Sequence, residues 1–228
     1  MHKITLVCSA HRENGLCNAG ELLKILRAIE PEVVFQEIRP SDFESFYRHG
    51  ATCSLEAQAI TKYREFKLPK QIPVDRYDVP ANLLAELKRD FDCVFDYVAQ
   101  VSQEYRLLDE ENGESVYQCG FGYLNSAAFA TKTAMMSEIE DTIIRGTDNQ
   151  YLMRGLERWR HLIERRELEM VGNIYEYCRK NVFDAGVFLV GAAHKTGIVK
   201  EIEKYTSTEA DLISWNFAYD GRFPLGAT

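Results

Sequence analysis

The chain has no Cys-x-x-Cys pair, no His-Glu-x-x-His motif, no solenoid-type repeat and no apolar run near the roughly 18 residues that span a bilayer. Its 6 cysteines (Cys8, Cys17, Cys53, Cys93, Cys119, Cys178) are scattered, so neither a zinc knuckle nor a redox dithiol is indicated, and reduced thiols are expected. Positive charge is in deficit. With 27 basic against 35 acidic residues, the formal net charge is -8, which argues against an electrostatic grip on nucleic acid or on an anionic membrane surface. The opening "MHKITLVCSA" turns polar after a handful of apolar residues, unlike the layout of a secretory signal. A cytoplasmic protein is therefore the expectation.

What is present is enough to fold. At 46% hydrophobic and 27% charged residues, 228 positions are expected to form one domain, residues 1–228, with a full core. "KITLVCS" reads as a strand and "AGELLKILRAIEP" as a helix ending at Pro31. "EVVFQE" and "KQIPVD" read as two further strands, with a helix and loops between them over residues 41–66. From about residue 81 to 180 apolar positions recur at three and four, giving a helical insertion whose breaks are expected at "DEENGES" and "CGFGYLN". "AGVFLVG" and "ADLISWNF" then return to strands. Strands alternating with helices imply an α/β fold, a mostly parallel sheet flanked by helices.

That arrangement gives the polar residues at the strand ends a common address. His11 follows the first strand, Glu37 ends the second, Asp75 ends the third and His194 follows "VFLVGAA". In open parallel sheets the carboxyl edge is where ligands bind, because crossover loops leave a crevice there. Small residues before each histidine (Ser9 and Ala10; Gly191, Ala192 and Ala193) permit sharp turns and close approach. Each residue also has a plainer reading. Glu37 is able to pair with Arg39, Asp75 to initiate a turn, and Glu13 to be a solvated loop residue. Phe46 and Tyr47 line a pocket or fold over the sheet edge, and His49 reads as surface. Two histidines and two carboxylates at one edge are hard to obtain by structural accident.

Four segments, "CSAHRE", "VVFQEIRP", "ERRELEMVGNIYEY" and "VGAAHKTGI", resemble the motifs of the TraB/PrgY, Tiki and erythromycin-esterase/ChaN-like superfamily. The resemblance runs over nearly the whole chain. It departs at Cys8, where the family's first motif carries glycine, and at Glu167, where the family carries Asn or Asp after the arginine. It implies a hydrolytic site in which His11, Glu37, Arg166 and His194 are the catalytic candidates. Glu13 and Asp75 join His11, Glu37 and His194 as metal-ligand candidates on this sequence's own layout. Without the resemblance, the helix carrying Arg165, Arg166, Glu167 and Glu169 reads as a charged outer face, with Met170, Ile174 and Tyr177 as its core stripe.

Such residues allow two mechanisms. In one, a divalent Mn, Co or Zn ion activates water for attack on an ester or amide carbonyl. In the other, a histidine oriented by Glu37 is the general base and Arg166 stabilises the oxyanion. The partner is then a small-molecule or peptide substrate. Two further readings stand beside these: a non-catalytic protein binding haem or another small ligand, and a helical interaction protein. A helical block of this size also makes a homodimer an expectation.

Overall fold

The computed structural model of the protein describes residues 1–44, 47, 54–75 and 81–217, residues 81–84 by their backbone alone. Five parallel strands form one sheet: β1 (His2–Ser9), β2 (Val33–Gln36), β3 (Lys70–Pro73), β4 (Ala185–Gly191) and β5 (Ile213–Asn216), in the order β3-β2-β4-β1-β5. β1 and β4 are the long central strands. They are buried along almost their whole length because helices cover both faces, which is why they read as continuous apolar runs. Although it comes late in the chain, β4 slots between β1 and β2. It pairs Ser9 with Gly191 on one side and Gln36 with Leu189 on the other.

Helices fill the crossovers. α1 (Ala19–Ile29) begins at Asn18, whose side chain accepts from the Glu21 N–H, and ends at Glu30 in a left-handed conformation just before Pro31. α2 (Leu55–Tyr63) is capped by Ser54 and packs on α1. Between β3 and β4 come α3 (Ala81–Val101), α4 (Gln103–Leu124), α5 (Ala127–Arg145) and α6 (Gln150–Lys180). A 3₁₀ turn, Ala192–His194, leads from β4 into α7 (Lys195–Thr206). Among the described residues no helix is long and apolar enough to cross a membrane.

The two expected breaks in the helical middle are corrected by the structure. "DEENGES" lies inside α4, where its Glu, Leu, Arg and Gln neighbours are good helix formers and a single Gly113, with open space where a Cβ would stand, is tolerated. "CGFGYLN" also belongs to α4 up to Leu124, but Gly120 (φ 52°, ψ -132°) kinks the helix there. The real interruptions fall at Ser102, Asn125–Ser126 and the turn ending at Asn149, and each of these three breaks supplies a side-chain oxygen that caps the next helix.

Two apolar clusters organise the molecule. The larger surrounds the sheet and includes Ile4, Leu22, Phe35, Tyr63 and Phe188. The smaller lies among the helices and joins Val94, Val98, Tyr105, Met136, Ile144, Leu152 and Leu156. α6, about 46 Å long at 1.5 Å per residue, serves both. Its Leu152 and Leu156 belong to the helical cluster, while Met170, Val171, Ile174 and Tyr175 belong to the sheet cluster. The stripe expected from Met170 and Ile174 is therefore core, and Tyr177 packs edge-on against Phe35 with ring centroids 5.4 Å apart. Arg166 sits on the stretch of α6 between the two clusters, above the carboxyl edge of the sheet.

Candidate functional site

Because β3, β2, β4 and β1 are neighbours in that order, Asp75, Glu37, His194 and His11 leave four adjacent strands at the same edge. Their side chains converge on Glu37. One of its oxygens, Oε1, accepts from Arg166 Nη2 at 2.5 Å and faces His194 Nε2 at 3.2 Å. The other, Oε2, accepts the Gly191 N–H at 2.7 Å and faces His11 Nε2 at 3.5 Å. Arg166 also donates through Nε and Nη2 to Asp75 Oδ2, at 3.2 and 2.8 Å. Thus Glu37 pairs with Arg166 rather than Arg39, which is held instead by Asp42.

Each histidine is turned by a second carboxylate. His194 Nδ1 lies 3.0 Å from Glu167 Oε1, and His11 Nδ1 lies 2.9 Å from Glu56 Oε1. With Nδ1 committed to a carboxylate, Nε2 is the nitrogen that each ring turns toward Glu37. Glu56 is itself held by the hydroxyls of Ser9 and Ser54, which donate to its two oxygens. Glycine makes room for both arrangements. A Cβ on Gly191 would stand 2.6 Å from His11 Nε2, and one on Gly197 would stand 1.8 Å from Glu167 Oε2.

The histidines differ in setting. His194 is 4% exposed, whereas the His11 side chain is 53% exposed and its backbone has φ 55°, a left-handed conformation costing about 1–2 kcal/mol outside glycine. Burial pushes His194 down, but its bonds to Glu167 and Glu37 and the charge of Glu37 outweigh that and lift it to about 9. His11 is raised by its bond to Glu56, against burial and with help from the Glu37 charge. Burial would lift the Glu37 carboxyl, yet the bond to His194 and the positive charges of His194, His11 and Arg166 hold it well below the usual carboxylate range.

These directions follow from a charge count. Glu37, Glu56, Asp75 and Glu167 bring four negative charges to a largely buried cluster, and Arg166 brings one positive charge. Neutral imidazoles would leave three unbalanced charges. Two imidazole protons reduce the surplus to one, as would one divalent cation between the rings. The donor chemistry of His11 Nε2, His194 Nε2 and Glu37 therefore suits a metal ion, with Glu56 and Glu167 orienting the rings behind it. As placed, however, no three such side chains among the described residues are grouped to hold one. Arg166 Nη1, only 3.4 Å from His194 Nε2, already contributes positive charge at that point.

Of the two remaining expected ligands, one stands apart from this set and the other joins it through Arg166. Glu13 is exposed and its Oε1 accepts the Ala19 N–H at 3.0 Å, so it caps α1, where the helix dipole favours a carboxylate. Asp75 belongs to the cluster but spends Oδ2 on Arg166, and its other oxygen has no partner among the described residues. Arg165 and Glu169 form the exposed pair expected of a charged face, at 3.0 Å, whereas Glu167 is buried and faces inward, contrary to that expectation. Tyr47 donates its hydroxyl to Gln36 at the sheet edge. Phe46, His49 and Cys53 lie outside the described residues.

Sequence reasoning missed Glu56, Ser54 and Asn125. Asn125 clasps the end of β1, accepting the Cys8 N–H at 2.9 Å and donating to the Cys8 carbonyl at 3.0 Å. Cys8 is a buried strand residue, as expected, and burial pushes its thiol up to about 12. The signal for Glu56 was "CSLEAQ", a serine cap followed by an acidic first turn; nothing in it announces a histidine partner. A cavity of 130 Å³ opens over His11, Glu37, Ser54 and Glu56, room for a few waters or a small carbonyl group. No family model matches the chain, and searches of curated proteins and of solved structures give no match.

Proposed function

We propose that the protein is a hydrolase acting on an ester or amide carbonyl, with His11, Glu37, Arg166 and His194 as its reactive groups. One observation carries the reading: two imidazoles, each oriented through Nδ1 by its own carboxylate, turn Nε2 toward one buried carboxylate at the carboxyl edge of a parallel sheet. The resemblance to the TraB/PrgY, Tiki and erythromycin-esterase/ChaN-like superfamily supports it, since His11, Glu37, Arg166 and His194 are the residues that resemblance selects.

His11 is the exposed member and faces the small cavity, so it is the general base. Its Nε2 takes a proton from water while the water oxygen bonds to the carbonyl carbon. Negative charge gathers on the carbonyl oxygen and is met by Arg166 and by the imidazolium of His194, both held in place by Glu37. The proton then passes from His11 to the leaving nitrogen or oxygen as its bond to carbon breaks. Glu56 and Glu167 are positioning residues. A divalent ion held by His11, His194 and Glu37 would supply a more acidic water and a polarised carbonyl.

The test joins a turnover screen of aryl esters and N-acyl amino acids to elemental analysis of protein purified without chelator or metal-affinity resin. Expected is hydrolysis that disappears in His11→Ala and His194→Ala; stoichiometric Mn, Co or Zn lost from both variants would place the ion between the rings. Turnover unchanged in both variants would overturn the proposal.

A further inference from the structure

A second cavity adjoins the cluster and shares Arg166 and Asp75 with it. It holds 390 Å³, within the range of small-molecule sites, and is lined by Arg39, Asp75, Lys88, Phe91, Trp159, Leu162 and Arg166. It lies where α3 and α6 lean over the ends of β2 and β3. Its chemistry is graded. Arg166 and Asp75 form the inner end, shared with the catalytic cluster. Phe91 and Trp159 form an aromatic wall with ring centroids 4.0 Å apart, and Leu162 is a buried apolar neighbour. Lys88 and Arg39 are the cations of the lining. Arg39 shares its guanidinium with Asp42, but Lys88 is exposed and has no ion-pair partner among the described residues.

One feature of the inner end points to a particular ligand group. Asp75 is 5% exposed, and its Oδ1 accepts no hydrogen bond among the described residues, whereas its Oδ2 takes two from Arg166. A buried carboxylate oxygen without a donor costs free energy of about 1–3 kcal/mol. Asp75 lines the cavity, and a turn of its carboxylate would present this buried oxygen to an N–H arriving there.

Resting on the hydrolase reading, we infer that this cavity binds the amino-acid half of an N-acyl amino acid with a large apolar side chain and a free carboxylate. The amide N–H faces Asp75, the side chain lies against Phe91, Trp159 and Leu162, and the carboxylate meets Lys88 and Arg39. The acyl carbonyl then lies on the Glu37 side of Arg166. Hydrolysis forms the bond from water oxygen to the acyl carbon, breaks the C–N bond and delivers a proton to the departing amine. The pairing of one apolar wall with cations and a single unsatisfied acceptor selects this class over a plain aryl ester, which brings no N–H.

Three probes separate the contributions: N-acetyl-L-phenylalanine, its carboxamide, and N-acetylglycine. Binding is read by calorimetry, and hydrolysis by amine release, on wild type, Lys88→Glu and Trp159→Ala. N-acetyl-L-phenylalanine is expected to be favoured over each of the others by about tenfold or more. Lys88→Glu should abolish its advantage over the carboxamide, and an unchanged unfolding midpoint in the variant would show that the lost preference is not a folding defect. Trp159→Ala should remove the advantage over N-acetylglycine. Equal affinity for the three probes, or no binding of any while His194-dependent ester hydrolysis persists, would overturn the pocket and leave the hydrolase standing. Binding with the expected preferences but no turnover would leave the pocket and overturn the hydrolase.

Discussion

The two histidine dyads have the same wiring and opposite surroundings. His194 with Glu167 is enclosed, built on a 3₁₀ turn and on the middle of a long helix; His11 with Glu56 stands half in solvent on a strained loop residue. In both, a carboxylate fixes Nδ1 and Glu37 faces Nε2. The difference divides the labour. A buried imidazole lifted to about 9 stays charged at neutral pH and belongs to the electrostatic frame, whereas an accessible one is free to exchange its proton with water.

The strongest way to break this comparison is to remove each ring. His194→Gln should lower kcat/KM by about 10²–10⁴-fold, and His11→Gln by a similar factor. Their stabilities should part company. Loss of His194 strips two buried carboxylates of a cation and should cost about 3–5 kcal/mol in denaturant unfolding. Loss of His11, exposed and strained, should cost little, and equal losses would show that the two dyads are not distinct in kind.

Next in size are the glycines. In Gly197→Ala the added methyl collides with the Glu167 carboxylate, deep in the core, so the melting temperature and activity should fall together. In Gly191→Ala it meets the His11 ring, which has solvent to retreat into. Activity should then fall with a much smaller change in melting temperature. A matched loss of stability would show that the His11 side of the site is as rigid as the other.

The dyads also predict a pH dependence. His194 holds its proton more tightly in the folded chain, near 9, than its ordinary 6.5. Its contribution to stability is therefore complete below pH 6.5 and is lost as pH rises through 9. Glu37 acts at the other end: held below its ordinary 4.5, it loses its contribution as pH falls beneath that value. Chemical-shift titration of the ring protons should show His194 dropping toward its ordinary value in Glu167→Gln, with His11 shifting instead in Glu56→Gln. The smallest effect is expected on the outer face of the same helix, where Arg165→Ala should change stability by less than about 0.5 kcal/mol.

Much of this was legible in the chain. Buried parallel strands announce themselves as apolar runs, and a polar residue after such a run lies at the carboxyl edge wherever crossovers keep the strands parallel. His11, Glu37, Asp75 and His194 could therefore be assigned to one edge from strand ends alone. Arg166 was a different matter. Its helix carries charge of both signs, and only the superfamily resemblance turns it inward; Glu167, next to it, reads from the sequence as surface. Helical spacing cannot decide which side of α6 is buried at its middle, because there the helix passes from one apolar cluster to the other. The breaks placed at "DEENGES" and "CGFGYLN" failed for a related reason: propensity over a long window outweighs one glycine, and Gly120 kinks α4 without ending it.

By itself the sequence determined the strands, their parallel sense, the edge of the sheet at which His11, Glu37, Asp75 and His194 stand, and the excess of acidic over basic residues. Those are properties of short-range pattern and total charge. Only the tertiary structure decided that Glu37 is the centre, that Glu56 and Glu167 are the partners of the two rings, that Glu13 caps a helix, and that an aromatic cavity adjoins Arg166. Each of these depends on strand order and on the path of one long helix. Hydrogen bonding acts over a few ångströms, and the fold, not adjacency in the chain, brings residues as far apart as Glu37 and Arg166 within that range.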